Sequence, residues 1–178
     1  MVGTIGVIAR RKGTDLFAEA ARLIQEETDE VSFRVVGRPD DPLDQAWAEE
    51  VLSRMASLGI HQADRADVYE ELAKLDVFVL PSRSDPFPIV VLEAMATGLP
   101  VVGTRVDGIA EELDERSGLL VEPEDPRGLA DAILRLHRDL QLRGSLGAGA
   151  RTRVAESFGL DRQADALEAC YLAAISGD

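Results

Sequence analysis

Cysteine is nearly absent from this sequence. Cys170 stands alone among 178 residues, so no disulfide framework exists, which agrees with a reducing compartment. Cys170 lies in an alanine-rich helical stretch and reads as a packing residue. Lysine is almost as rare: only Lys12 and Lys74 accompany the arginines. Positive charge is in deficit overall, with a formal net charge of −14. Such a surface repels DNA, RNA and anionic lipid, which excludes a nucleic-acid reader and asks any anionic ligand for a local cationic pocket. No apolar run approaches the ~20 residues of a membrane span. At the N-terminus the charges follow the apolar run, the reverse of a signal peptide. A cytoplasmic chain is expected, meeting a membrane only through a domain not contained in it.

Several signatures are missing too. No G-x-x-x-x-G-K-[ST] loop is present, which excludes a P-loop nucleotidase, and no G-x-G-x-x-G follows the first strand, which argues against NAD. No Asp-x-Asp pair or His/Cys cluster offers a metal site. His61 and His137 stand far apart and read as structural, and Gly147 and Gly149 as packing positions in a helical tail. Neither an internal repeat nor a low-complexity linker appears.

What is present is an alternation of strands and helices. Val2 to Ala9 is short, apolar and β-branched, which predicts a buried strand. Thr14 is placed to cap a helix running to about Glu27, with Leu16, Phe17, Ala20, Leu23 and Ile24 on one face. Strands are expected at 32–36, around Ile60, and at 77–80, 101–104 and 118–121. Helices are expected at 43–58, 64–75, 89–97 and 108–113, and in a tail at 126–139, 141–157 and 160–175. The pattern implies one Rossmann-like three-layer α/β domain over residues 1–178, with a mostly parallel sheet and a helical C-terminal tail. Ligands of such sheets bind at the carboxyl ends of strands. That rule points to the loops after Ala9, Val36, Leu80 and Thr104.

Two segments there carry chemistry. Arg10, Arg11 and Lys12 are the only three consecutive basic residues, and Gly13 follows them. Between a strand and a helix they offer a diphosphate cationic side chains and free N–H groups, or they are simply a solvated basic turn. The second segment is SRSDPFPIVVLEAMATG. Asp85 lies in the loop after a buried strand, and Glu93 lies eight positions later in the next helix. Pro86, Phe87 and Pro88 stiffen the loop, and the N–H groups of Phe87, Ile89 and Val90 are candidate donors to a ligand. Glu93 has apolar neighbours on both sides, so it either faces a ligand cleft or belongs to a structural pair.

These segments resemble the C-terminal domain of the family 4 retaining glycosyltransferases, which have the GT-B fold. The similarity runs from IGVIARRKGTDLFAEAA through FRVVGRP and LAKLDVFVLPSRSDPFPIVVLEAMATGLPVVGT to GIAEEL, SGLLVEPEDP and a tail holding Tyr171. Its most specific part is an acid, seven residues and a glutamate, followed by A-M-A-x-G-x-P-V-V.

The resemblance implies roles at matching positions. Lys12 would hold the donor diphosphate. The arginine that usually accompanies it is replaced here by Val7, so Arg10 or Arg11 would substitute. Asp85 would contact hydroxyls of the transferred sugar, where relatives commonly carry glutamate. Glu93 would bind the ribose hydroxyls, and Gly37 would lie near the base. Pro88 replaces a common glycine and removes a backbone donor. No metal and no cofactor beyond a nucleotide diphosphate sugar is expected. An acceptor-binding N-terminal domain, in cis or in trans, would complete the active site and pair with residues from about 160 onward. The isolated chain is expected to transfer little or nothing. Competing readings are a non-catalytic nucleotide-binding or scaffold module and an epimerase-like or phosphorylase-like domain of the same fold.

Overall fold

The computed structural model describes residues 1–39, 44–64 and 66–176. Six strands form one sheet: β1 (Val2–Ile5), β2 (Phe33–Val36), β3 (His61–Ala63), β4 (Val77–Leu80), β5 (Val101–Thr104) and β6 (Gly118–Val121). Their order is β3-β2-β1-β4-β5-β6 and every pairing is parallel. Eight α-helices accompany them among the described residues: α1 (Thr14–Gln25), α2 (Gln45–Ser57), α3 (Val68–Leu72), α4 (Ile89–Ala96), α5 (Asp107–Glu112), α6 (Pro126–Arg138), α7 (Leu140–Ser157) and α8 (Leu160–Ser176).

The central strand shows why the sheet is covered on both faces. Val77, Phe78, Val79 and Leu80 are all buried, and successive side chains point to opposite faces. Val77 and Val79 join a core with Phe17 and Ile24 of α1, Val51 and Met55 of α2, and Ile133 of α6. Phe78 and Leu80 join a second core with Val91 and Met95 of α4, Ile109 of α5 and Leu72 of α3. The strand order reverses direction between β1 and β4. Parallel sheets of this kind hold their ligands at the carboxyl edge of such a switch point.

Local structure departs from the sequence expectations at three places. Strand β1 ends at Ile5 rather than Ala9, because the chain turns at Gly6 and Ile8 forms an isolated bridge with Pro39. Thr14 does not cap α1; Gly13, in the left-handed region at φ +66°, is the cap residue. The helix expected over 64–75 shrinks to Val68–Leu72, since residues 61–63 pair with β2 and the Asp67 carboxylate caps the Glu70 N–H at 3.0 Å. Leu43, the expected start of α2, lies outside the described residues. Within α3, Glu71 is buried against Arg34 of β2, whose hydrogen bond holds its carboxyl down to about 2.

The tail corrects the reading of Cys170. In helix α8 residues 160–175 are all exposed, and Cys170 with them. Among the described residues it is not a packing position, although its alanine-rich surroundings pointed to one. Gly147 and Gly149 do pack closely: a Cβ there would meet the Gly98 and Arg116 carbonyl oxygens at 2.2 and 1.9 Å. Among the described residues no helix is long and apolar enough to cross a membrane.

Candidate functional site

The carboxyl edge of the sheet between β1 and β4 brings Lys12 and Asp85 together. After β1 the chain makes one 3-10 turn over Arg10–Lys12, closed by Gly13. A Cβ on Gly13 would stand 1.9 Å from the Pro81 carbonyl oxygen. The β1–α1 turn and the β4–α4 loop are therefore in backbone contact. Arg83 and Ser84 N–H groups both donate to the Arg11 carbonyl, at 2.8 and 3.4 Å.

That contact delivers Lys12 to Asp85. The Lys12 ammonium is ion-paired with the Asp85 carboxylate, with side chains only 14% and 8% exposed. The Ser82 hydroxyl lies 3.4 Å from the same carboxylate. The three basic residues then diverge. Arg10 turns toward α2, where its Nε meets Asp44 at 3.0 Å and its guanidinium lies 5.2 Å from the Trp47 ring centre. Arg11 is exposed, and its side chain makes no hydrogen bond or ion pair among the described residues.

Glu93 is half-buried on α4, with no hydrogen-bond partner among the described residues, and burial pushes its carboxyl up. Pro88 precedes the helix as its cap residue, at φ −77°. The first-turn N–H groups of Ile89 and Val90 have no acceptor within the helix. Phe87 is partly exposed, with its ring 6.0 Å from that of Phe158. Gly37 sits at φ +152°, where a Cβ would fall 1.8 Å from the Gly6 carbonyl oxygen, so β2 and β1 leave the sheet back to back. His61 is exposed, and His137 lies 3.4 Å from Glu30. Among the described residues no cluster of three or more His, Cys, Asp or Glu could hold a metal ion.

Residues 1–139 match the family of the group 1 glycosyl transferases. The chain belongs to the group 1 glycosyl transferases. It is 36% identical over 183 residues to the D-inositol 3-phosphate glycosyltransferase of Paenarthrobacter aurescens, covering 97% of this chain and 43% of that one. It is 31% identical over 180 residues to a lipopolysaccharide core biosynthesis mannosyltransferase of Rhizobium meliloti, covering 96% and 50%. The chain thus spans half or less of the length of these curated relatives. Among solved structures, the C-terminal domain of a group 1 glycosyl transferase from Francisella tularensis superimposes with a TM-score of 0.81 at 26% identity, covering 89% of this chain and 86% of that one. The Anabaena protein HepE in complex with UDP-glucose gives a TM-score of 0.83 at 25% identity, covering 94% and 48%. The fold is the GT-B Rossmann-like one of the family 4 type.

Three further residues shape the site of this group 1 glycosyl transferase domain, and the sequence reading missed them. Asp107 starts α5 at φ +39° and accepts hydrogen bonds from the Ser84 hydroxyl at 2.8 Å and the Asp85 N–H at 2.9 Å. Arg83 bonds the Arg10 carbonyl at 2.7 Å, Asp15 at 2.7 and 2.9 Å, and Glu124. Glu112 is fully buried, and neither carboxyl oxygen has a hydrogen-bond partner among the described residues. Burial pushes its carboxyl up to about 8, Asp85 and Glu111 act in the same direction, and Lys12 opposes them. Only Glu112 left a trace in the sequence: it stands three residues after Ile109, on the inward face of a short amphipathic helix.

Proposed function

We propose that the chain is the nucleotide-sugar-binding part of a two-domain retaining glycosyltransferase. The observation that carries this reading is the Lys12–Asp85 pair at the switch point between β1 and β4. A cation suited to a diphosphate and a carboxylate suited to sugar hydroxyls stand side by side there. On donor binding Lys12 would turn to the diphosphate, and Asp85 would be released to the hydroxyls of the transferred sugar. Arg11, whose guanidinium is uncommitted among the described residues, would be the accompanying arginine, while Arg10 flanks the site beside Trp47. Glu93 would take the ribose hydroxyls. Gly37 would admit the base, and the loop from Phe87 through Val90 would present N–H donors.

The related HepE structures contain UDP and UDP-glucose, which supports a nucleotide-sugar donor here. Transfer with retention would proceed by front-face displacement. Preorganised cations at the departing diphosphate would be the main catalytic contribution. An acceptor-binding domain, in cis or in trans, would supply the second substrate. The site would need no divalent metal, because side-chain cations balance the phosphates.

The test is calorimetry of the chain with UDP, GDP and ADP, with and without chelator, repeated with Lys12→Ala. Metal-independent binding is expected, and the substitution should weaken diphosphate binding by about 1.5–3 kcal/mol while sparing nucleoside binding. Binding lost with chelator refutes metal independence. Equal losses for diphosphate and nucleoside refute the role of Lys12.

A further inference from the structure

Helix α5 is anchored at both ends. Asp107 holds the Asp85 loop through the two hydrogen bonds described above. At the other end Arg153 of α7 donates to the Glu111 and Glu112 carbonyl oxygens at 2.7 and 2.6 Å, and to the Asp114 carboxylate at 3.0 Å. Ile109 and Leu113 lie so close over β5 that a Cβ on Gly103 would meet both. Glu112 is therefore fixed where it is, buried and without a hydrogen-bond partner among the described residues. An apolar side chain would suit that position better on stability grounds, because a buried carboxyl without hydrogen bonds is costly.

Backbone contacts set the helix of Glu112 against the loop that carries Asp85: the Gly108 N–H donates to the Asp85 carbonyl at 3.3 Å, and a Cβ on Gly108 would stand 2.1 Å from the Pro86 carbonyl oxygen. The charges that act on the Glu112 carboxyl are Asp85 of that loop, Glu111 of its own helix and Lys12 of the β1–α1 turn. Of the other elements packed against α5, β5 carries no titratable group. Helix α4 carries Glu93, whose upward shift has burial as its only cause. From α7, Arg153 is engaged by the carbonyls and by Asp114.

We propose that Glu112 is a positioning residue that acts through the Lys12–Asp85 pair, holding a proton that must remain on it for an anionic donor to bind. The inference rests on the donor-binding reading above. Neutral, Glu112 adds no negative charge that competes for Lys12, whose cation is then free to turn from Asp85 to the diphosphate. Ionised, it becomes a further carboxylate acting on Lys12, and it repels the incoming phosphates. The coupling is reciprocal: a bound diphosphate raises the affinity of Glu112 for its proton. A carboxyl that titrates at about 8 is partly ionised in mildly alkaline solution, so donor binding there transfers a proton from solvent to Glu112.

Calorimetry with whichever of UDP, GDP and ADP binds most tightly tests this, above the titration of the ligand's own terminal phosphate near pH 6. Between about pH 7 and about pH 9 the Kd of the unsubstituted chain is expected to weaken about fivefold to tenfold, or about 1–1.4 kcal/mol. Titrations at about pH 8 in buffers of different ionisation enthalpy should show roughly half a proton taken up per ligand. In Glu112→Gln the pH dependence should fall below about twofold and the proton uptake should vanish. If that variant does not fold, Glu112→Leu replaces it as a neutral filler of the same site, and the uptake by the unsubstituted chain decides alone. Binding without pH dependence or proton uptake overturns the proposal and leaves donor binding standing. An unchanged pH profile in Glu112→Gln overturns it equally. Absence of binding by every diphosphate at every pH overturns the donor-binding reading, and this inference with it.

Discussion

Gly13 and Gly59 offer a matched pair for measuring what backbone contact at the site is worth. Their φ values are +66° and +67°. Their surroundings differ completely: a Cβ on Gly13 would stand 1.9 Å from the Pro81 carbonyl oxygen, whereas Gly59 has nothing within 4 Å. Replacement by alanine charges both positions with the left-handed conformation, about 1–2 kcal/mol. Gly13→Ala adds an overlap with backbone that no rotamer change relieves, about 1–3 kcal/mol more. The expected losses are therefore about 2–5 kcal/mol at Gly13 and about 1–2 at Gly59. Urea unfolding followed by circular dichroism reads both, with a slope of about 1–3 kcal/mol/M setting the shift in midpoint. Diphosphate binding should suffer in Gly13→Ala, because the displaced turn carries Lys12, and should be unchanged in Gly59→Ala. Equal destabilisation of the two variants would refute the close approach of the β1–α1 turn to the β4–α4 loop.

Other expectations concern the carboxylates and the completeness of the chain. Glu93→Gln should mainly reduce discrimination between ribo- and 2′-deoxyribonucleotides, and Asp85→Asn discrimination between nucleotide sugars and free diphosphates; effects indifferent to those ligand changes would count against both assignments. Glu112 holds its proton in the folded chain between about 4.5, its ordinary value, and about 8. Relative to Glu112→Gln, the unsubstituted chain should therefore lose stability as pH rises through that window and stay level above it. The limit is about 4–5 kcal/mol at about 1.36 kcal/mol per pH unit, measured by urea unfolding at several pH values; a difference independent of pH would contradict the raised titration. In a transfer assay with a panel of acceptors, the 178-residue chain alone should turn over little donor, since holding two substrates in register is worth up to about 7–11 kcal/mol. Full-rate transfer by the chain alone would refute the two-domain proposal.

Much of the site was legible because its parts are local. The acid and the glutamate eight positions later sit in one loop-helix unit, and Gly13 follows its basic turn directly. Short uninterrupted apolar runs sufficed for β4 and β5, which are buried on both faces. Non-local pairing hid the rest. Nothing in the sequence chooses between Arg10 and Arg11 until Asp44 and Trp47 are placed beside the turn. The amphipathic stretch over 64–75 carries a helical period. Sheet pairing at its start and the Asp67 cap decide how much of it becomes helix. Glu111 and Glu112 are neighbours of equal polarity; the spacing of Glu112 from Ile109 is only a trace, and the packing of Ile109 into the core decides which one turns inward.

Arg83 has a practical consequence for anyone exchanging loops between relatives to change donor preference. Its guanidinium joins Arg10 and Asp15 of the first loop region to Glu124, which lies beyond β6, while its own backbone belongs to the loop that carries Asp85. Three segments distant in sequence thus share one cation. A grafted β1–α1 turn without an acid at the position of Asp15 leaves that cation partly unmatched, and the loss is felt where the graft made no change. The interchangeable module is then not a loop but the set Asp15, Arg83 and Glu124 together with the loops they tie.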